Sequence, residues 1–318
     1  MELSITAEQV RELRERTGAG FMDCKRALEE AGGDQEKAIA ILREKGLATA
    51  AKKAGRLASE GLVASFVLPD RTAGALVEVN CETDFVAKNE EFVAFVRTLA
   101  EKVAKSVQLG TTTGAEGEIL RDLALPDGTT VAAALTALIA KIGENMTVRR
   151  FARFAVPAGG GLVESYIHMG GKIGVLVELS CRKAATMQDP RFLTLARDLA
   201  MQVAAARPEY VRREEVPAAT IENERGIYRA QALNEGKPEQ VAEKIVAGRL
   251  EKFFKDVCLL EQIFIKDNTR NCAQVIKSVA DELGEEIAVV RFARFERGEG
   301  LAKKEEDFLA AVRAQIEG

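Results

Sequence analysis

Leu76-Val77-Glu78-Val79-Asn80-Cys81 returns one hundred residues later as Leu176-Val177-Glu178-Leu179-Ser180-Cys181. A repeat of this kind sets the architecture before any single motif does. It extends in both directions. Upstream, Gly61-Leu62-Val63 matches Gly161-Leu162-Val163, and downstream Phe92, Leu99, Ala100, Val103 and Ala104 match Phe192, Leu199, Ala200, Val203 and Ala204. The tails match at a larger offset of 141, where Arg150-Phe151-Ala152-Arg153-Phe154 becomes Arg291-Phe292-Ala293-Arg294-Phe295. The second copy therefore carries an insertion of about 41 residues. Within each copy the pattern reads strand, strand, helix, helix, strand. Leu62–Leu68 and Gly74–Cys81 alternate or run apolar, and the segment after Asn89 has helical spacing at Phe92, Val96, Leu99 and Val103. A hairpin and a third strand backed by helices define an α+β layer architecture, here built twice around one core.

Working outward, the first 46 residues read as three short helices. Thr6 with Gln9 forms a capping box, and Ile5 packs on Val10 as its staple. That helix ends near Gly18. The second spans about Phe21 to Ala31, and the third starts on Asp34 and ends before Gly46. A basic connector follows, with Lys45, Lys52, Lys53 and Arg56 and no acidic residue between Gly46 and Ser59. So small a unit is expected to move almost independently of the core. The insertion reads as a helical hairpin turned at Asn234-Glu235-Gly236-Lys237-Pro238, its second helix bearing a coiled-coil seam of Val246, Leu250, Phe253 and Val257. Self-association, contact with another molecule and simple buttressing all fit that arm. A short amphipathic helix with Phe308, Val312 and Ile316 on one face closes the chain. The boundaries drawn are 1–55, 56–155, 156–208 with 263–298, 209–262 for the arm, and 299–318.

Composition removes several function classes. With 318 residues, 45 Lys plus Arg stand against 49 Asp plus Glu, so no global basic field exists to hold nucleic acid. The longest apolar stretch, Val131 to Ala140, is half the length of a membrane span. Met1-Glu2-Leu3-Ser4 lacks the basic and apolar regions of an export signal, and the five cysteines include no CxxC pair. A reducing, cytoplasmic setting is expected, without metal, disulfide framework or membrane contact. There is a single histidine, His168, too few for a histidine-built metal site.

Two chemical readings compete with plainer ones. Cys81, near Asp84 and Lys88, could act as a nucleophile with His168, but Cys181 holds the same place without such neighbours, which favours a buried strand-end residue. Arg149-Arg150-Phe151-Ala152-Arg153 and the basic connector could bind RNA, although solvated charge on a strand edge explains those arginines. One asymmetry between the copies stands out. After Cys81 the chain continues Glu82-Thr83-Asp84-Phe85-Val86-Ala87-Lys88-Asn89, whereas after Cys181 it reads Arg182-Lys183-Ala184-Ala185-Thr186. Phe85 is either a local clasp onto the following helix, capped by Asn89, or an exposed anchor for a partner's pocket.

Two long stretches carry a resemblance. Leu13-Arg14-Glu15-Arg16-Thr17-Gly18-Ala19-Gly20-Phe21-Met22-Asp23-Cys24-Lys25-Arg26-Ala27-Leu28 and Glu78-Val79-Asn80-Cys81-Glu82-Thr83-Asp84-Phe85-Val86-Ala87-Lys88 both resemble the signatures of the elongation factor Ts family. The resemblance implies an N-terminal three-helix module like a ubiquitin-associated domain, two core subdomains, an inserted helical-hairpin dimerisation domain and a C-terminal helix. It implies a guanine-nucleotide exchange factor, not an enzyme, that needs no cofactor and acts on the GTPase elongation factor Tu. Phe85 would be the wedge, Asp84 would disturb the partner's magnesium site, and Thr83 and Val86 complete that loop. His168, Met169 and Gly170 match a further contact. Phe21 and Met22, beside the glycine-bearing turn, would meet the partner too, with packing inside their module as the competing reading.

Overall fold

The computed structural model describes residues 5–17 and 19–302. Gly18 and the closing helix expected over Phe308, Val312 and Ile316 lie outside the described residues. The chain is a mixture of helix and antiparallel sheet. Its first helices are α1 (Ala7–Thr17), α2 (Phe21–Glu30) and α3 (Gln35–Lys53). Thr6 and Gln9 exchange the two hydrogen bonds of a capping box, and Asp34 caps α3 by accepting from Lys37 N–H. Val10, Leu13, Cys24, Leu28 and Ala38 close a small core of their own.

The first copy runs β1 (Glu60–Val67), β2 (Ala73–Cys81), α4 (Asp84–Ala87), α5 (Glu90–Lys105), β3 (Thr112–Glu116), α6 (Val131–Ile142) and β4 (Met146–Ala155), with sheet order β1-β2-β4-β3. The second runs β5 (Gly161–His168), β6 (Ile173–Ser180), α7 (Pro190–Ala206), the insertion, then α10 (Cys272–Leu283) and β9 (Ala288–Glu296), with order β5-β6-β9. Equivalence reaches the irregularities: β2 slips register against β4 after Glu78, and β6 slips against β9 after Glu178.

All nine residues of β2 are buried because the sheet is covered on both sides. Ala75, Val77, Val79 and Cys81 face α5 and α6, while Leu76 faces the other copy. The layer between the sheets comprises Val63, Leu76, Ala152 and Phe154 against Val163, Leu176, Ala293 and Phe295, each residue meeting a set that contains its own repeat equivalent. Val63 N–H donates to Gly171 O and Val163 N–H to Arg71 O, both at 2.9 Å, and Ser65 meets Ser165 at 3.0 Å. Gly74 and Gly174 permit this approach. A Cβ on either would come within 3.0 Å of Val163 or Val63.

Two expectations need correction. The third helix does not stop before Gly46. It continues to Lys53, so most of the basic connector is helix. Gly46 is buried against α6, where a Cβ would sit 3.6 Å from that of Ala140, and Ala50 packs on the first core. That contact outweighs glycine's poor helix propensity. The three helices are thus joined to the core by a continuous, docked helix rather than a loose tether. Nor are the arginines of β4 solvated edge charge. Arg149 and Arg150 pair with fully buried Glu78 at 2.9 and 2.6 Å, and Arg153 donates to the carbonyls of Val103, Ala104 and Gly110.

The insertion forms α8 (Ala218–Asn234) and α9 (Glu239–Val257), lying side by side. Ala232, Ala242, Val246 and Leu250 are buried, so the seam residues Val246 and Leu250 are covered within the hairpin. Beyond α9 the chain adds a small hairpin, β7 (Ile263–Phe264) with β8 (Asp267–Asn271). Val211, Leu259 and Phe264 around the root belong to the second core.

Gly46→Ala should stabilise the chain by up to about 1 kcal/mol, since its Cβ fits and helix propensity rises. Gly46→Leu should cost about 1–3 kcal/mol by forcing α3 off α6. Denaturant melts of both variants check the opposite signs. Replacing 218–256 with a short turn should leave the thermal transition of both cores in place, because their strands and the paired segments at the root remain; calorimetry reads this directly.

Candidate functional site: the loop around Phe85

The loop after β2 is fixed at both ends before Phe85 is reached. Thr83 Oγ1 accepts from Val86 N–H at 3.3 Å and starts the single turn α4. The same hydroxyl donates to Glu144 at 2.6 Å, and Thr83 N–H donates to the other Glu144 oxygen at 3.0 Å. Asn89 closes the far end by accepting from the N–H groups of Glu91 and Phe92. Val86 and Ala87 point into the first core. One turn cannot send every side chain inward, and Phe85 emerges with 81% of its surface exposed. The clasp reading therefore fails for Phe85. Val86 does that work.

Asp84 lies beside the ring. Lys88, hydrogen-bonded to it at 2.6 Å, holds the Asp84 carboxyl below the usual carboxylate range, and the charge of Arg297 acts in the same direction. Arg297 arrives from the segment after β9. It pairs with Glu60 at 2.8 Å, and Gly298 N–H donates to Glu78 at 2.8 Å. The segment after α3 reaches the loop from the other side, where Arg56 lies 3.6 Å from Glu82. Two stretches distant in sequence thus meet residues at the end of β2 and the start of its loop.

Copy two has the same cradle without the ring. Glu285 accepts from Lys183 N–H at 2.8 Å, as Glu144 does from Thr83, and the turn that follows buries Thr186 and Met187. Glu144, Asn145 and Arg297 were missed as site residues. A signal existed for the first, since Gly143-Glu144 recurs as Gly284-Glu285 at the tail offset of 141.

The other expected residues stand on separate elements. His168 ends β5, its Nδ1 3.0 Å from the Tyr166 hydroxyl. Met169 is 67% exposed and holds a left-handed φ of 49°, a strained conformation for a residue with a Cβ, followed by Gly170 at 64°. Phe21 and Met22 open α2 at 44% and 58% exposure while Cys24, Ala27 and Leu28 turn inward. Packing within the module does not account for that pair. Thr83, Asp84, Phe85 and Val86 form one turn; the hairpin tip and the start of α2 are further surfaces.

The nucleophile reading loses its chemistry. Burial, helped by the charge of Glu144, pushes the Cys81 thiol up to about 12, and its Sγ donates to Thr83 O at 3.2 Å. A thiol in that state is not a thiolate near neutral pH. Among the described residues no cluster of three or more His, Cys, Asp or Glu could hold a metal, and no helix is long and apolar enough to cross a membrane.

Comparison with known proteins shows the family. The family model described as Elongation factor TS matches residues 82–299. Elongation factor Ts of Clostridium kluyveri is 53% identical over 314 residues, covering 99% of both chains. That of Clostridium botulinum is 53% identical over 312 residues, 98% of this chain and 99% of the relative; that of Clostridium perfringens is 52% identical over 308, covering 97% and 98%. These matches place the protein among the translation elongation factors. The chain belongs to the elongation factor Ts family, and membership implies in general terms a nucleotide exchange factor for elongation factor Tu.

All five cysteines are buried, and burial raises each thiol above its ordinary value, with Cys272 pushed up to about 12 and Cys258 to about 11. Native protein at pH 8 should therefore resist iodoacetamide on all five, and denatured protein should take up the full complement. Mass spectrometry counts the adducts.

Proposed function

We propose that this chain binds the translational GTPase elongation factor Tu and speeds GDP release by seating Phe85 in an apolar gap of the partner's nucleotide domain. The single observation that carries the reading is the Phe85 ring, exposed on a turn whose flanks are pinned by Glu144, Asn89 and the Asp84–Lys88 pair. An exposed phenyl gains about 1.5–3 kcal/mol on burial. On a pre-organised turn little of that is lost to ordering.

No bond is made or broken by this chain in such a role. Its effect is a negative coupling between two ligands of the GTPase, and it is reciprocal: nucleotide weakens the exchange factor as much as the exchange factor weakens nucleotide. Magnesium bridging the phosphates contributes much of a GTPase's grip on nucleotide. Asp84, held ionised by Lys88, would disturb the support of that metal within the partner. Thr83 and Val86 hold the turn. His168, Met169 and Gly170 at the β5–β6 tip, and Phe21 and Met22 on α2, supply further contacts. The N-terminal and C-terminal segments would grip the nucleotide domain, with the second copy reaching another part of the partner.

The cytoplasm, where translation proceeds, is the expected setting. No cofactor, nucleic acid or membrane enters the reading. Homodimerisation through the arm would draw on Ile227, Leu233 and Val241, the apolar residues its own two helices leave exposed.

Phe85→Ala should leave stability within about 0.5 kcal/mol of the parent, as expected for an exposed side chain. GDP release from the partner should slow by about 30-fold or more, matching the loss of roughly 2 kcal/mol or more at an interface hot spot. Fluorescent-GDP displacement followed by stopped flow makes the measurement. Wild-type release by a folded variant would end the wedge reading.

A further inference from the structure

We propose that Asn145 is a positioning residue that couples the N-terminal helices to the Phe85 loop, so that a partner engaged by one biases the other. Three consecutive residues after α6 reach these elements. Gly143 O accepts from Lys53 at the end of α3. Glu144 holds Thr83 at the start of the loop. Asn145 does both at once. Its backbone N–H donates to Glu82 Oε1 at 2.6 Å, and its side-chain amide donates to Arg56 O at 2.7 Å and Ala54 O at 3.4 Å. Asn145 is buried, so separating the helix end from the loop would strand polar groups away from water.

The repeat supplies an internal control. The turn recurs as Gly284-Glu285-Glu286. Glu285 holds Lys183 as Glu144 holds Thr83, so the carboxylate belongs to the shared fold. Glu286, in the place of Asn145, is exposed and pairs with Arg182 at 2.6 Å. The amide occurs in the copy that bears the exposed phenylalanine, at the point where α3 ends. Its geometry links the helices carrying Phe21 and Met22 to the turn carrying Phe85. In a coupled system, a partner that engages the helices also biases the loop, and the reverse holds equally.

This inference rests on the reading that the Phe85 loop drives nucleotide release. Its test uses the full-length chain and the partner GTPase loaded with fluorescent GDP, comparing the parent with Asn145→Ala, Lys53→Met and Phe85→Ala. Asn145→Ala should lower the maximal release rate about tenfold, inside the hundredfold that a misplacement of about 1 Å can cost a working group. The half-saturating concentration should change far less. Lys53→Met, a change on the outer side of the same joint, should act in the same direction more weakly, and it carries the test should Asn145→Ala not fold. A maximal rate equal to the parent's in folded Asn145→Ala, whatever its Tm, would overturn the proposal. So would a loss confined to half-saturation. Phe85→Ala separates the two ideas: parental release by that variant removes the wedge reading itself, whereas slow release there with parental Asn145→Ala removes only the coupling.

Discussion

Each of the two larger sheets of this protein is covered by its own helices on one side only, and the uncovered sides close on each other. That mutual burial is the constraint from which the rest follows. Val63, Leu76, Ala152 and Phe154 have nowhere to go except against Val163, Leu176, Ala293 and Phe295. The two hydrogen bonds from Val63 and Val163 to the opposite hairpin tips fix the register. A Cβ at Gly171 would fall 2.2 Å from Leu62 Cδ1, so the tip beside Met169 must carry glycine where it crosses the first copy. The exposed Met169 and Gly170 are therefore presented from a hairpin whose base is locked.

Charge buried at the edge of that contact organises the chain ends. Glu78 is inaccessible to water yet meets Arg149, Arg150, Gly298 N–H and Asn80. Arg150 in turn lies over Phe295, 4.4 Å from its centroid, and reaches Glu299. A buried pair of this kind is weak evidence for net stability, but removing one member would leave a charge uncompensated at about 3–5 kcal/mol. Its clearest consequence is placement. The segment 296–300 from the second copy is strapped across the first, beside the turn that carries Asp84 and Phe85. Glu178 in the second copy pairs with Arg291 at 3.0 Å, and the segment 155–160 that follows the equivalent strand leads instead into β5.

The Phe85 turn illustrates how a common scaffold acquires a site. Both copies hold the second residue after the strand-end cysteine, Thr83 or Lys183, with a carboxylate, Glu144 or Glu285. Both then bury a residue of the turn. The loop chemistry differs, and a phenylalanine placed where the shared fold points outward becomes a large apolar group in water, 81% exposed. Rigidity comes from the shared scaffold, and the exposed ring from the few residues that depart from it.

Much of this was legible in the residues alone. The offsets of 100 and 141 imply two α+β copies and an insertion, since repeated apolar patterns must bury repeated surfaces. The caps at Thr6, Asp34 and Asn89 and the anomaly at Phe85 could be read from neighbouring positions because caps and turns are local. What could not be read were contacts between segments far apart. Gly46 looked like a stop signal, and only the face of α6 beside it makes it a packing residue within α3. Arg149, Arg150 and Arg153 looked like solvated charge until Glu78 and three backbone carbonyls were brought beneath them. Asn145 carries no motif, and its role exists only where α3, α6 and the loop after β2 meet. The sequence by itself determined most of the elements, their duplication and the residue that stands apart. The tertiary structure alone decided which side chains are withdrawn from water and which stay in it, because burial depends on every surface that arrives at a point in space.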